Sequence, residues 1–389
     1  IDTLVNDLDF YIDILDTGYV FKQSDKEFLK FIEENPDSKM VVYTLNNTEF
    51  LDLSDKIDSK NVSFDFKFMG NNVPNINGKP LYFEHLAEIS KGANKLGVLK
   101  MDVDNLGVIF KEGFEHLEKK GTSISRVSAL SFFMELFFSG RINKIIDKYR
   151  VYTKKYDGCE PIKLDFDGVE ETVYKPTEGL DMVDENYTST IYINYSGGDD
   201  LLVLGPYDDV IGFAHDFREE FKQWTCENDS ITISGGVNIS GAKFPIGKAA
   251  ILADDCLEQS KACGKDKITV FSDVLNWDSD GKLKGFNSVF DFARKLEGLT
   301  ENGDVSKGFV YSLLNIWSKT FKVEGDISTK EDFIKFNEKK LVNRIYVPLF
   351  KYKLRLISNK SVRDEIDRDG VKFMPWIKSP VAWVSLRLR

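Results

Sequence analysis

The segment Tyr195-Ser196-Gly197-Gly198-Asp199-Asp200 constrains this chain more than any other. It lies between Thr190-Ile191-Tyr192-Ile193-Asn194 and Leu201-Leu202-Val203-Leu204-Gly205. Both flanks are rich in β-branched, aromatic and aliphatic residues, which predicts a β-hairpin with its tip at the glycines. A Gly-Gly pair turns tightly and lets a bulky polyanion approach without meeting a Cβ. Two adjacent carboxylates at such a tip repel each other unless a cation or water neutralises them. Taken alone, the motif suits a solvated Asp-Asp turn as well as a metal site.

A second acidic cluster tips the balance toward the metal site. The apolar run Leu96-Gly97-Val98-Leu99-Lys100-Met101 has the character of a buried strand and ends in Asp102-Val103-Asp104, as a strand does when it carries a carboxylate to its C-terminal edge. Two acidic strand ends in one α/β unit match what Mg2+ (or Mn2+) requires: a few hard oxygen ligands, with positions left open for phosphates.

At 389 residues the chain has room for two or three domains with a large core. A composition 42% hydrophobic and 13% aromatic belongs to a folded protein and excludes a disordered one. No apolar run reaches membrane-spanning length, so no membrane role is expected. The chain begins Ile1-Asp2-Thr3, with neither a signal-peptide pattern nor an initiator Met, and the true N-terminus is expected to have been removed or left out. Cys159, Cys226, Cys256 and Cys263 are scattered, which fits ordinary thiols in a reducing cytoplasm and argues against a zinc finger. The net charge of −11 is uneven: residues 286–389 hold 20 Lys+Arg and 13 Asp+Glu (+7), leaving 32 and 50 (−18) for residues 1–285. The C-terminal part is therefore the better surface for a polyanion or partner, although a mildly basic helical face is equally often just solvated.

Residues 1–75 read as a small α/β domain that could be partial, with strands near 40–44 and 62–68 and a helix near 25–34. Residues 71–79, with Pro74 and Gly78, read as a linker. A larger α/β unit is expected over 76–280. It opens with a short helix at 83–91 and the strand ending at Asp102. After a cap at Thr122-Ser123, Val127, Leu130, Met134, Phe137, Phe138, Ile142 and Ile145 recur at helical spacing, the mark of a core stripe. Residues 151–189, with ten Asp/Glu against four Lys, read as an irregular, exposed acidic insertion. Beyond the hairpin, helices at 208–225 and from Pro245 to about Gly264 alternate with strands at 230–239 and 267–271. Residues 281–389 read as mainly helical, with an extended tail at 382–389. The dipeptide His215-Asp216 invites a metal-nuclease reading, but His85 and His116 lie in no metal-ligand spacing, and a surface histidine is the expectation.

This order of strand, helix, hairpin, helix, strand, helix, strand resembles the ferredoxin-like palm of polymerases, class III nucleotide cyclases and diguanylate-cyclase (GGDEF) domains over about residues 93–272. In that resemblance Asp102 and Asp199 fall where the palm's metal carboxylates sit. Ser260-Lys261-Ala262-Cys263-Gly264-Lys265 is similar to the run whose basic groups hold nucleotide phosphates in GGDEF domains, with Lys265 in place of an arginine. Several segments resemble the large subunit of type III CRISPR interference complexes of the III-A (Csm) type: Phe68-Met69-Gly70-Asn71-Asn72-Val73-Pro74, Phe83-Glu84-His85-Leu86-Ala87-Glu88, Met101-Asp102-Val103-Asp104-Asn105-Leu106-Gly107, Ser123-Ile124-Ser125-Arg126, Phe244-Pro245-Ile246 and Val384-Ser385-Leu386-Arg387. The N-terminal HD nuclease, the first palm and the four-cysteine zinc site often found in that family are not visible in this sequence.

The resemblance implies synthesis of cyclic oligoadenylates from ATP, switched on by target RNA paired to guide RNA in a cytoplasmic complex with a small subunit and a repeat-tag-binding subunit. Asp102, Asp199 and the Val103 carbonyl would hold one metal ion, and Asp200 would complete a second site or steer the attacking hydroxyl. Gly197 and Gly198 would leave room for phosphate or ribose, Lys261 and Lys265 would neutralise phosphate charge, and Ser196 would touch the nucleotide. Asp104, two residues after Asp102, should share its face as a second ligand or a repelled carboxylate. Asn105 is a turn former or a base contact. Two other readings stay open: a GTP-using signalling cyclase, and an RNA- and protein-binding scaffold with an inert palm.

Overall fold

The structure, a computed structural model, describes residues 10–14, 17–21, 25–46, 61–113, 123–177, 186–279, 284–321 and 328–389. The chain divides into two compact units, residues 1–69 and 70–389.

In the first unit an antiparallel hairpin, β1 (Phe10–Ile14) and β2 (Thr17–Phe21), precedes helix α1 (Asp25–Glu34). Strands β3 (Met40–Leu45) and β4 (Val62–Lys67) then pair in parallel, Met40 opposite Val62. Thr122, placed by sequence in a helix cap, and His116 lie outside the described residues.

The second unit starts with the tiny hairpin β5 (Asn75–Ile76) and β6 (Lys79–Pro80), followed by helix α2 (Phe83–Ile89). The expected linker at 71–79 is instead pinned to a sheet edge. The Asn72 carbonyl accepts from Ile193 N–H at 3.0 Å, and its side-chain amide donates to the Ile191 carbonyl at 2.6 Å. Polar loop residues gave no hint of this, because the bonds run between backbone and a distant strand.

Strand β7 (Lys95–Val103) is central and largely buried on both faces, as its apolar run requires. Helix α3 (Leu106–Glu112) follows, then α4 (Ile124–Glu135), a π-helical turn (Leu136–Arg141) and α5 (Ile142–Ile146). The described part of the acidic insertion is not irregular. Strands β8 (Arg150–Tyr152), β9 (Cys159–Phe166), β10 (Val169–Pro176) and β11 (Tyr187–Ser189) make a four-stranded antiparallel sheet. Val151, Leu164, Phe166 and Val173 anchor it against α2 in a common core. Its charges occupy the outward positions of ordinary strands, which is why charge counting alone suggested a loop.

The glycine-tipped acidic hairpin follows as β12 (Tyr192–Gly197) and β13 (Asp200–Pro206), then α6 (Tyr207–Trp224), β14 (Ile233–Gly241), α7 (Ile246–Ala262), β15 (Lys267–Val270) and β16 (Asp273–Asn276). The sheet order is β12-β13-β7-β14-β15-β16, antiparallel except for β14 and β15. Alternation splits its side chains cleanly. Leu99, Met101, Val103, Leu201 and Val203 face a layer of Phe137, Phe138, Phe213, Phe217 and Phe221, whose rings meet edge to face or tilted at 5.0–6.2 Å. Leu96, Val98 and Leu204 face the other way, toward α2 and α7.

Among the described residues six helices follow: α8 (Phe286–Glu301), α9 (Lys307–Thr320), α10 (Lys330–Val342), α11 (Tyr346–Lys353), α12 (Lys360–Phe373) and α13 (Lys378–Arg387). Their core is continuous with that of the palm. The tail expected to be extended is therefore helix α13. Its Val381, Trp383 and Val384 favour strands intrinsically, but burial between α8 and α9 overrides that preference. Arg387 closes it with a buried ion pair to Glu297 at 2.9 Å and to Asp208 at 3.0 Å, and Lys175 reaches Asp208 and Asp209 at 3.2 and 2.9 Å.

Candidate active site

The two acidic strand ends meet. Asp200, first residue of β13, is the direct ladder partner of Asp102 on β7, a register that places their Cβ atoms about 5 Å apart. Gly198 has a left-handed φ of +66°, the conformation glycine adopts without strain. The turn it forms lets the Asp199 carbonyl accept the Val103 N–H at 3.0 Å. The hairpin tip is thereby tied to the end of β7. A side chain on Gly198 would meet nothing within 4 Å, and one on Gly197 only the Tyr195 hydroxyl at 3.9 Å, so the space above the tip is open.

Burial first, then the charges of Asp102 and Asp200, hold the Asp199 carboxyl above the usual Asp range, against the lowering pull of a backbone hydrogen bond and Lys261. Crowded carboxylates of this kind favour a cation. Among the described residues no three His, Cys, Asp or Glu side chains converge closely enough to hold a metal ion as they stand. At Asp102 the neighbouring charge is a lysine, Lys261, whose Nζ lies 2.8 Å from Asp102 Oδ2. Hard oxygens on adjoining strands, mutual repulsion and open space still fit a divalent ion that brings its remaining ligands with it as phosphate oxygens.

Lys261 arrives there because α7 lies almost in backbone contact with β14. A Cβ on Gly236 would sit 2.2 Å from Leu257 N and 2.5 Å from the Ala253 carbonyl, so only glycine admits the helix. Ala249, Ala253 and Leu257 form the buried stripe. Ser260 fastens the helix end, donating to the Gly235 carbonyl at 2.8 Å and meeting Thr269 Oγ1 at 2.7 Å. Burial lowers the Lys261 ammonium, but Asp102 and Glu258 together hold it above its ordinary value.

Three expectations are corrected by the geometry. Asp104 does not share the face of Asp102. The strand ends at Val103, the alternation stops, and the Asp104 carboxylate turns inward. It accepts from Ser234 Oγ at 2.8 Å, Thr232 Oγ1 at 2.8 Å and Asp266 N–H at 2.9 Å. With its oxygens so occupied it is a structural anchor and not a ligand. Ser196 pairs with Leu201 on the opposite face from Asp200, and its hydroxyl donates to the Phe138 carbonyl at 2.6 Å within the π-helical turn. It points away from the face that carries Asp102 and Asp200. His215 is half-buried, its ring stacked 6.0 Å from Phe286 with Nδ1 3.3 Å from Asp216, because α8 covers it.

Asn105 is a left-handed residue (φ 58°) at the start of α3, and its Oδ1 accepts from Lys265. Lys265 and Asp266 are themselves left-handed, bending the loop after α7 back over the end of β7. The stretch 261–266 thus supplies a partner to Asp102, to Asp104 and to Asn105 in turn.

Sequence reasoning missed Tyr195, Lys100 and Asp254. Tyr195 is half exposed, donates to the Gly197 carbonyl at 3.2 Å and has its hydroxyl pKa raised by burial and then by Asp200. A register irregularity between Ile193 and Tyr195 aims it at the site, and bulges of this kind have no sequence signature here. Lys100, one pleat before Asp102, bonds Asp254 on α7 at 2.5 Å. That two-residue spacing was the available signal.

An antiparallel sheet that presents paired carboxylates at a glycine hairpin, opposite lysines on a crossing helix, defines a nucleotidyltransferase-like palm. Residues 95–269 match the family described as Cas10/Cmr2, second palm domain. The chain is homologous to the Cas10/Csm1 large subunit of subtype III-A. It is 34% identical over 215 residues to the CRISPR system single-strand-specific deoxyribonuclease Cas10/Csm1 (subtype III-A) of Methanocaldococcus jannaschii, covering 51% of this chain and 23% of that protein. The Mycobacterium tuberculosis protein of the same description is 30% identical over 234 residues, covering 58% and 25%. The matched stretch therefore spans about a quarter of those relatives. Among solved structures, the Csm1-Csm4 cassette in complex with pppApApA superposes with a TM-score of 0.59 at 20% identity, over 90% of this chain and 44% of that one. The cassette with cA4 gives 0.59 at 21% over 90% and 44%, and Csm1 of T. onnurineus 0.58 at 20% over 90% and 45%. No described helix is long and apolar enough to cross a membrane.

Proposed function

We propose that this palm joins ATP molecules 3′ to 5′ into cyclic oligoadenylates, as part of an RNA-guided antiviral complex. The observation that carries the reading is the Asp102–Asp200 register pair with Asp199 tied beside it under an open glycine tip. Support comes from fold relatives whose structures hold pppApApA and cA4.

Phosphoryl transfer asks a protein mainly for positioning and charge neutralisation. Asp102 and Asp199, with the Val103 carbonyl, would hold a divalent ion, which supplies charge neutralisation at the reacting phosphate and a more acidic 3′-hydroxyl. Asp200, beside them, orients the incoming ribose or completes a second ion's ligand set. Gly197 and Gly198 admit the triphosphate to within backbone distance. Lys261 and Lys265, at the end of α7, neutralise the leaving pyrophosphate. Tyr195 stands over the same opening with an exposed ring face. Guide and target RNA, a small subunit and a tag-binding subunit are the partners this reading implies. The deoxyribonuclease in the curated relatives' name is not assigned to these residues.

Chromatography of the products formed from ATP and Mg2+, in the assembled complex with and without matched target RNA, tests the reading. Target-dependent cyclic oligoadenylates are expected. Products from GTP alone would favour a signalling cyclase, and no nucleotide turnover with intact RNA binding would favour a scaffold.

A further inference from the structure

We propose that Lys261 is a built-in counter-ion of Asp102 that must change partner before the palm accepts a metal ion. The inference rests on the reading above, in which Asp102 is a metal ligand, and adds how that site is kept closed when empty.

The Lys261 ammonium lies 2.8 Å from Asp102 Oδ2 and 3.5 Å from Glu258 Oε1, one turn back on the same helix. The lysine and Asp102 side chains are each 25% exposed, whereas Glu258 is 63% exposed. The ammonium therefore occupies the very oxygen a cation would need, while a second acceptor waits toward solvent. The helix itself cannot retreat, since Gly236 and Ser260 hold it on the sheet. The four-carbon stem of the lysine is what gives it freedom to move.

The electrostatics make the exchange ordered. A divalent ion arriving alone must displace an ammonium from Asp102, and a cation already at that carboxylate opposes a second one nearby. A metal ion arriving with a triphosphate meets a different balance, because the phosphate oxygens give Lys261 a new anionic partner as Asp102 is released. Metal and nucleotide then bind with positive coupling, and Lys261 is the residue through which they couple. Lys100, one pleat away, already has its own carboxylate partner in Asp254. Lys261 is a positioning residue in this account: it sets when Asp102 becomes available.

The test is Mn2+ binding to the full chain, read by the electron paramagnetic resonance of free Mn2+, without nucleotide and then with a non-hydrolysable ATP analogue. Lys261→Met should bind Mn2+ alone more tightly than wild type, by on the order of tenfold, and should show weaker enhancement by the analogue. Lys261→Arg, which keeps a cation, should behave as wild type toward Mn2+ alone. Melting curves confirm that each variant is folded, and Lys261→Gln replaces Lys261→Met if the latter is not. Equal or weaker Mn2+ binding by the neutral variants overturns the proposal. Asp102→Asn separates the two levels. If it abolishes analogue-dependent Mn2+ binding while Lys261→Met changes nothing, the closed-site inference alone fails. If Asp102→Asn has no effect on Mn2+ in either condition, the metal reading fails and this inference falls with it.

Discussion

Asp102 and Asp200 are direct partners across the β7–β13 ladder, and the Val103 N–H to Asp199 carbonyl bond extends that ladder into the turn. The acidic cluster is thus a property of sheet register. A one-residue slip would send each carboxylate to the aromatic face, so the apolar alternation that fixes the core also fixes the site.

Replacing Asp199 and Asp200 by Ala should abolish nucleotide turnover, a loss of at least about a thousandfold, while far-UV circular dichroism stays unchanged. Turnover within tenfold of wild type, measured by product chromatography, would refute the assignment.

Asp104 should behave differently from its neighbour. Asp104→Ala leaves Ser234, Thr232 and the Asp266 N–H without their acceptor, a loss of about 3 kcal/mol. Urea unfolding should show that loss. Asp102→Ala, whose partner Lys261 can reach solvent, should shift the midpoint little.

Lys340 carries a pH signature. Burial pushes its ammonium down to about 8, with Asp273 opposing the shift and Lys378 adding to it, and the stem lies against Phe336, Nζ 4.2 Å from the ring centre. Between about 8 and the unfolded value near 10.4, the unfolded chain binds more protons than the folded one. Stability should therefore rise with pH across that window and carry the full penalty below it. Lys340→Met should stabilise the protein by about 3 kcal/mol at pH 7, an advantage that shrinks toward pH 10. Thermal melts at three pH values check both the sign and the convergence.

Arg387 closes the last helix on two buried carboxylates, Glu297 and Asp208. Arg387→Ala removes the buried partner that both share and should cost about 3–5 kcal/mol, seen as a lower melting temperature. A change under 1 kcal/mol would mean that Lys91 and Lys175, which also reach these carboxylates, suffice.

The strands at Asp102 and Asp200 and the helices between them were legible because each is a long periodic run with one chemical interruption. Parity was legible only while a strand continued. It was carried from Asp102 to Asp104 and failed there, one residue past the strand end, while the Ser196 contact implied by the resemblance is undone by the pairing Gly197↔Asp200, which turns Ser196 to the other face. The sheet at 150–189 was hidden by charges on its solvent face, and α13 by the β-branched residues it buries. The contacts of the 261–266 loop depend on three left-handed or glycine positions in succession, and local composition encodes no such path.

The backbone contact between α7 and Gly236 has a bearing on speed. With the helix unable to slide or tilt, whatever Lys261 does it does by turning about its own side-chain bonds. Such rotations take picoseconds to nanoseconds, many orders of magnitude quicker than a domain rearrangement. On the reading proposed above, the swing of the lysine side chain itself would therefore not be what limits turnover.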